Sequence, residues 1–210
     1  MEWKQVPLGQ MQTNCYVLKK EDFSCLIIDP GSEGEKLIQY LREEDLKPIA
    51  IVLTHAHYDH IGAVDTIRSA YDIPVYVHHL EKDWLSSPAL NLSEKMPAGK
   101  VQVNEADEII MGEQELTIES FSFKIYETPG HSPGSISLYF EDAGIVCSGD
   151  ALFSGSIGRS DLPGGNQELL LKSIHDKLLT LPENTAVLCG HGPVTTIGNE
   201  MNTNPFLNGF

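Results

Sequence analysis

The alternation of apolar and polar positions divides the chain into strands, helices and breakers. "NCYVLKK" and "SCLIIDP" are short apolar runs bounded by polar or Pro/Gly residues, and they predict two strands. "EGEKLIQYLREED" follows, with Leu37, Ile38 and Leu41 at helical spacing. "IAIVLTH" is a continuous apolar run and predicts a strand buried on both faces. "IGAVDTIRSAYD" predicts one helix, with Ile61, Val64, Ile67 and Ala70/Tyr71 on a single stripe, and "VYVHH" predicts another buried strand.

A Pro/Gly-marked stretch, "SSPALNLSEKMPAGK", leads into a second half. "LTIESFSFKIYET" alternates and predicts strands in a meander, continued by "SISLYFE" and "GIVCSGD" around the turn "DAG". "NQELLLKSIHDKLLTL" predicts a helix with Asn166 as N-cap and Pro182 just past its end. "AVLCGHG" is a last strand. Each half is therefore a set of strands with at least one helix. Two β-rich halves with covering helices predict an α/β (α+β) chain built as an αββα sandwich. No linker, repeat or low-complexity tract interrupts it, so residues 1–210 are expected to form one domain.

Composition narrows the class. Hydrophobic residues make up 41 %, an ordinary globular value. The formal net charge is −16, with 14 Lys plus Arg against 30 Asp plus Glu, and such a field repels a phosphate backbone. Nucleic acid is therefore not an expected partner. The first residues, "MEWKQVPLGQMQ", show no basic and apolar leader, and no run approaches the 18 or so apolar residues of a membrane span. A cytoplasmic chain with no membrane partner is expected. Cys15, Cys25, Cys147 and Cys189 form no Cys-x-x-Cys pair. Three lie in apolar strand-like runs and Cys15 beside one, which reads as buried thiols in a reducing compartment.

The chemistry gathers where strands end. "THAHYDHIG" puts His55, His57, Asp59 and His60 within six residues, just past the strand "IAIVLTH". His131 lies in "TPGHSPGS", Asp150 ends "GIVCSGD", and His191 ends "AVLCGHG". Gly130, Gly149, Gly190 and Gly192 flank these groups, where small residues let the backbone turn and a ligand approach. Neutral imidazole and carboxylate oxygen suit zinc or a similar first-row ion. His55 and His57 alternate, so an extended loop turns both to one side, toward one ion. Asp59 and His60 come as a helix begins and point toward a second. A lone His in a Gly/Pro loop is ordinarily only a loop residue, but the six-residue string is far from a chance pattern. His78, His79 and His175 are assigned no metal: the first two end a strand and the third lies on a helix.

These motifs, together with "TNCYVL", "LIIDPG", "SGDALFSGSIGRSDLPGG" and "CGHGP", resemble the metallo-β-lactamase superfamily, within it the glyoxalase II-like (hydroxyacylglutathione hydrolase-like) branch. The resemblance runs through nearly the whole chain. It implies the four-layer αββα sandwich and two divalent ions, most often zinc, with iron and manganese also accommodated. The first ion would take His55, His57 and His131. The second would take Asp59, His60 and His191, with Asp150 bridging. Asp59 and Asp150 would be the catalytic carboxylates. Asp29 matches a motif aspartate that supports the ligands from behind, although an Asp before Pro also forms turns. Arg159 and Asp161 would shape or brace the site, or simply form an ion pair within a loop. Tyr58 and Arg159 are the weak candidates for substrate contact.

The implied reaction is hydrolysis of a small-molecule thioester, an S-2-hydroxyacyl-thiol, by a metal-bridging hydroxide. Its thiolate leaves without a strong general acid, because a thiol has a pKa of about 8.5. Nineteen residues follow His191 and include no Lys or Arg, so the basic clamp for glutathione is expected to be missing. The competing readings are a lactonase on the same site and a persulfide dioxygenase. The dioxygenase would use one iron held by His55, His131 and Asp150. A β-lactamase, a tRNA-processing nuclease and a non-catalytic binder fit less well.

Overall fold

The apolar runs of the first half become one sheet. In the computed structural model, which describes residues 1–97 and 99–207, the chain divides into two compact units, Met1–Met111 and Gly112 onward. The first unit contains β1 (Glu2–Leu8), β2 (Thr13–Lys19), β3 (Ser24–Ile28), α1 (Gly34–Glu43), β4 (Lys47–Val52), α2 (Tyr58–Ile61), α3 (Val64–Tyr71), β5 (Val75–His78) and β6 (Glu108–Ile110). Its six strands pair in sequence order. β1, β2 and β3 run antiparallel, while β3, β4, β5 and β6 run parallel.

Helix α1 forms where the spacing predicted it, with Leu37, Ile38 and Leu41 buried. Each contributes about 1.5–3 kcal/mol of apolar burial before the entropy of ordering is subtracted. Leu41→Ala would cost about 2–5 kcal/mol. The stripe from Ile61 to Tyr71 is not one helix. The chain breaks at Gly62 and Ala63, where the Ala63 N–H donates to the Pro30 carbonyl at 2.9 Å. A Cβ on Gly62 would sit 2.3 Å from the Gly31 carbonyl oxygen, so this close approach of backbones fixes the bend. Val64 and Ile67 are buried in α3, but Ala70 is exposed, contrary to the predicted stripe.

The second unit contains β7 (Gln114–Ile118), β8 (Phe121–Glu127), β9 (Ile136–Phe140), β10 (Ile145–Gly149), β11 (Leu152–Phe153), β12 (Ser156–Ile157), α4 (Gln167–Ser173), β13 (Ala186–Cys189), β14 (Thr195–Thr196) and α5 (Ile197–Thr203). β7 to β10 form the predicted antiparallel meander, and β13 lies parallel to β10 with β14 on its far side. The Asn166 side chain caps α4 by accepting the Leu169 N–H at 3.0 Å. The helix then widens into a π-helical turn over Ile174–Leu178. Leu170, Leu171, Ile174 and Leu178 bury its inner face.

All four cysteines are buried free thiols, and Cys15 lies inside β2 rather than beside it. Burial pushes the Cys25 and Cys189 thiols up to about 12, which keeps them protonated. Of the apolar tail "NPFLNGF", Leu207 is buried in the core of the second unit, and residues 208–210 lie outside those described. No described helix is long and apolar enough to cross a membrane.

Candidate metal centre

In the first unit, strand direction assembles the ligands. β3, β4 and β5 are parallel, so their carboxyl ends share one end of the sheet, where open α/β sheets bind ligands. Asp29 follows β3, the Thr54–His60 segment follows β4, and Glu81 follows β5. His57 stays extended as the N-cap of α2, and the single turn of α2 then carries Asp59 and His60. Gly31 lies against this turn, where a Cβ would come within 2.0 Å of the Asp59 carbonyl oxygen.

The side chains converge. The His55 ring centroid lies 4.8 Å from that of His57 and 4.1 Å from that of His60. Asp29 accepts the Thr54 N–H at 2.8 Å, the Thr54 hydroxyl at 2.5 Å and His60 Nδ1 at 3.0 Å. Asp29 itself sits in the left-handed region, with φ 51°, where the chain turns after β3. An ionised carboxylate only accepts, so His60 carries its proton on Nδ1 and presents a lone pair on Nε2. The Thr54 proton points at Asp29, so the hydroxyl oxygen accepts from His55 Nδ1 at 3.2 Å and turns His55 Nε2 the same way. His60 Nε2 faces Asp59 Oδ2 at 3.7 Å, and Thr13 donates to that oxygen at 3.0 Å.

The second unit repeats the device. β8, β10 and β13 run in one direction, because β9 is antiparallel to both β8 and β10, and β13 is parallel to β10. His131, Asp150 and His191 all follow their carboxyl ends. His131 Nδ1 donates to the Arg159 carbonyl at 2.7 Å, which leaves its Nε2 as an acceptor. Asp150 Oδ2 lies 3.5 Å from His131 Nε2 and 3.6 Å from His191 Nε2. The turn is tight: a Cβ on Gly158 would lie 1.8 Å from the Asp150 carbonyl oxygen.

These separations test the fit of a metal. A carboxylate oxygen and an imidazole lone pair repel, and 3.5–3.7 Å is too long for a good hydrogen bond. Two ligands bound at about 2.0–2.2 Å to one tetrahedral ion stand roughly 3.3–3.5 Å apart. The donor set and its spacing therefore fit a divalent cation. The outer nitrogens are held by Asp29, Thr54 and the Arg159 carbonyl, as ligating histidines require.

The first unit thus brings together four of the sequence's candidate ligands, and the second unit three. Arg159 supplies its backbone carbonyl, while its side chain forms an exposed, two-pronged pair with Asp161 at 2.9 and 3.0 Å. That pair holds the Asp161 carboxyl below its ordinary value. Burial, and then the Asp59 carboxylate, push the Tyr58 phenol up, so it stays protonated at neutral pH. His78 is buried at the end of β5 with its ring 4.4 Å from that of His79. Sequence reading missed Glu81. This carboxylate is fully buried and accepts the Ala56 N–H, between His55 and His57, at 2.6 Å. Its only trace in the sequence is an acid three residues past the end of a strand that pairs with β4.

Two sheets of α/β type, each with a His/Asp cluster at the carboxyl ends of its parallel-running strands, define a metal-binding class of protein. The family model described as "Metallo-beta-lactamase superfamily" matches residues 8–191, and the chain belongs to that superfamily as a metal-dependent hydrolase. It is 55 % identical over 210 residues to "Probable metallo-hydrolase YqgX" of Bacillus subtilis (strain 168), covering 100 % of this chain and 99 % of that one. It is 35 % identical to "Hydroxyacylglutathione hydrolase GloC" of Haemophilus influenzae, covering 97 % and 96 % of the two chains. Among solved structures, the BLEG-1 B3 metallo-β-lactamase superposes with a TM-score of 0.97 at 53 % identity, covering 99 % of this chain and 100 % of that one. TTHA1623 in a di-iron-bound form superposes with a TM-score of 0.87 at 39 % identity, covering 97 % and 100 %. The mixed α/β fold with two sheets is that of these neighbours.

Proposed function

We propose that His55, His57, Asp59, His60, His131, Asp150 and His191 together hold two divalent ions, zinc by preference, and that the chain hydrolyses thioesters. The observation that carries this reading is Asp150. One oxygen of its carboxylate faces the Nε2 atoms of two histidines at 3.5 and 3.6 Å, a spacing at which these groups would hold a cation rather than a hydrogen bond. The likeness to the hydroxyacylglutathione hydrolase supports an S-2-hydroxyacyl-thiol as substrate.

Divalent ions held by these residues would supply Lewis acidity, bringing the pKa of a water toward neutrality and polarising a carbonyl. Asp59, steadied by Thr13, orients the attacking water and takes its proton. The water oxygen bonds to the acyl carbon and the carbon–sulfur bond breaks. The leaving thiolate, with a conjugate-acid pKa of about 8.5, needs no general acid. Asp29 and Thr54 hold His60 and His55 in the tautomers that face the ions. The net charge of −16 supports a small-molecule substrate rather than nucleic acid. Four buried free cysteines support the cytoplasm.

A second reading, β-lactam hydrolysis, draws on the likeness to the B3 metallo-β-lactamase. Metal analysis and a panel of thioester, lactone and β-lactam substrates separate the readings. About two zinc ions per chain with thioester turnover is the expected result. A single iron with oxygen uptake would instead establish the dioxygenase, and turnover of the β-lactam alone would establish the lactamase.

A further inference from the structure

The second unit keeps a buried carboxylate that plays no part in the chemistry above. Glu200, on α5, is out of contact with solvent, where a charge is costly unless it is hydrogen-bonded. Four donors surround it. Its Oε1 accepts from the Thr195 hydroxyl at 2.6 Å and from Asn199 Nδ2 at 2.9 Å. Its Oε2 accepts from the Gly155 N–H at 2.8 Å and from Asn204 Nδ2 at 2.8 Å. The same Asn204 nitrogen, buried at the end of α5, also donates to the Ser156 carbonyl at 3.0 Å.

Thr195, Asn199 and Asn204 lie on or beside α5, but Gly155 and Ser156 do not. They lie at the tip of the β11–β12 hairpin, 45 positions from Glu200 and 48 from Asn204 respectively. Space is open there: a Cβ on Gly155 would meet no described atom within 4 Å apart from its chain neighbours. Glu200 and Asn204 therefore clamp the tip by hydrogen bonds.

The hairpin in turn reaches all three candidate ligands of this unit. Asp150 leads into it, and at its base the Gly158 N–H donates to the Ala151 carbonyl at 3.2 Å. Arg159 follows directly, and its carbonyl is the acceptor for His131 Nδ1. Phe153, in β11, sets its ring edge-on to that of His191, with centroids 6.1 Å apart.

We propose that Glu200 is a positioning residue of the metal centre, holding His131, Asp150 and His191 in place for a cation through the β11–β12 hairpin. Resting on the reading of those three as metal ligands, the assignment makes α5 part of the site's frame as well as of the core. A carboxylate suits the task, because all four of its partners donate and an ionised carboxylate only accepts. An amide would turn its NH2 group toward two of them.

Zinc affinity of the full chain, read by chelator competition, tests this in Glu200→Ala and Glu200→Gln. Thr196→Ala is the control: it removes the acceptor that caps α5 at the Asn199 N–H and leaves the bonds to the hairpin alone. Glu200→Ala is expected to weaken zinc binding about tenfold, and Glu200→Gln by less, since its oxygen can still face Gly155. Thr196→Ala is expected to bind as the wild type does. Wild-type affinity in Glu200→Ala, or equal weakening in Thr196→Ala, overturns the proposal. Where Glu200→Ala does not fold, Glu200→Gln takes its place: weaker binding than in Thr196→Ala supports the clamp, and equal binding overturns it.

Heteronuclear NMR of the metal-free chain gives a reading independent of zinc. In Glu200→Ala the His131 Nδ1–H should exchange faster with water, while the His60 Nδ1–H, held by Asp29 in the other unit, stays as in the wild type. Equal change at both, or at neither, overturns the proposal. If the wild type binds no zinc, the metal reading fails by itself, and the two imidazole signals alone decide whether Glu200 places His131.

Discussion

The two units reach the same chemistry by different routes. In the first, four candidate ligands come from one segment, Thr54–His60, and a single helical turn spreads them. In the second, His131, Asp150 and His191 come from three loops, with 59 residues between the first and the last. The first cluster is held by local geometry and by braces from elsewhere in its unit, Asp29, Glu81 and Thr13. The second depends on three strands running the same way, and its imidazoles converge on one Asp150 oxygen. Contiguity makes a site visible and rigid at small cost in chain. Dispersion makes a site depend on the whole sheet, so damage to β8, β10 or β13 reaches it.

The comparison breaks most sharply at the ligands. His57→Ala in one unit and Asp150→Ala in the other are each expected to lower thioester hydrolysis by about a thousandfold or more. Steady-state kinetics with metal content measures this, and substantial activity left in either variant would show that one cluster works alone. Asp29→Asn comes next, at about 10–100-fold in metal affinity or activity, because it disturbs the His60 tautomer without removing a ligand. Chelator competition reads it, and wild-type affinity would reduce Asp29 to a turn residue.

Glu81→Ala leaves the buried Ala56 N–H without its acceptor and should cost about 1–3 kcal/mol in urea unfolding. Glu81→Gln keeps an acceptor oxygen and should cost less, so equal losses would point to charge instead of geometry.

Glu200 is the corresponding buried acid of the second unit. Burial works to raise its pKa, but hydrogen bonds from Thr195, Gly155, Asn199 and Asn204 outweigh it and leave the value lowered. A lowered folded value means stability that is present above the unfolded pKa of about 4.3 and lost as pH falls below it. Glu200→Gln should flatten that part of the acid unfolding curve. Curves of the same slope for both proteins would refute the assignment. The smallest effect belongs to Arg159→Ala. The Arg159–Asp161 pair is exposed, so the melting temperature should barely move, and a large drop would give the side chain a role its solvent exposure denies.

Much of the molecule was legible in the sequence, for physical reasons that also explain the gaps. Leu37, Ile38 and Leu41 announced α1 because one buried face imposes its period. The candidate ligands stood out because imidazole and carboxylate are seldom crowded without a cation. β1 passed unnoticed, since an edge strand buries few of its residues and tolerates Pro7. β6 and β14, at three and two residues, carry too little pattern to read. The break between α2 and α3 is set by Gly31, some thirty residues upstream, and no local period encodes it. Glu81 and Thr54 act through backbone and hydroxyl contacts, which leave no signature in residue type.

The common direction of β3, β4 and β5, and of β8, β10 and β13, divides the labour along each sheet. The carboxyl ends hold the candidate ligands. At the opposite ends the chain reverses through left-handed residues: Phe23, Asp45 and Asp72 ahead of β3, β4 and β5, and Glu119 and Gly144 ahead of β8 and β10. Sequence drift therefore has unequal consequences at the two ends. At the reversal ends, a substitution competes with backbone conformation and is felt as stability. At the ligand ends, it is felt as catalysis. A chain organised this way can exchange its substrate loops over evolutionary time while the turns that keep it folded stay untouched.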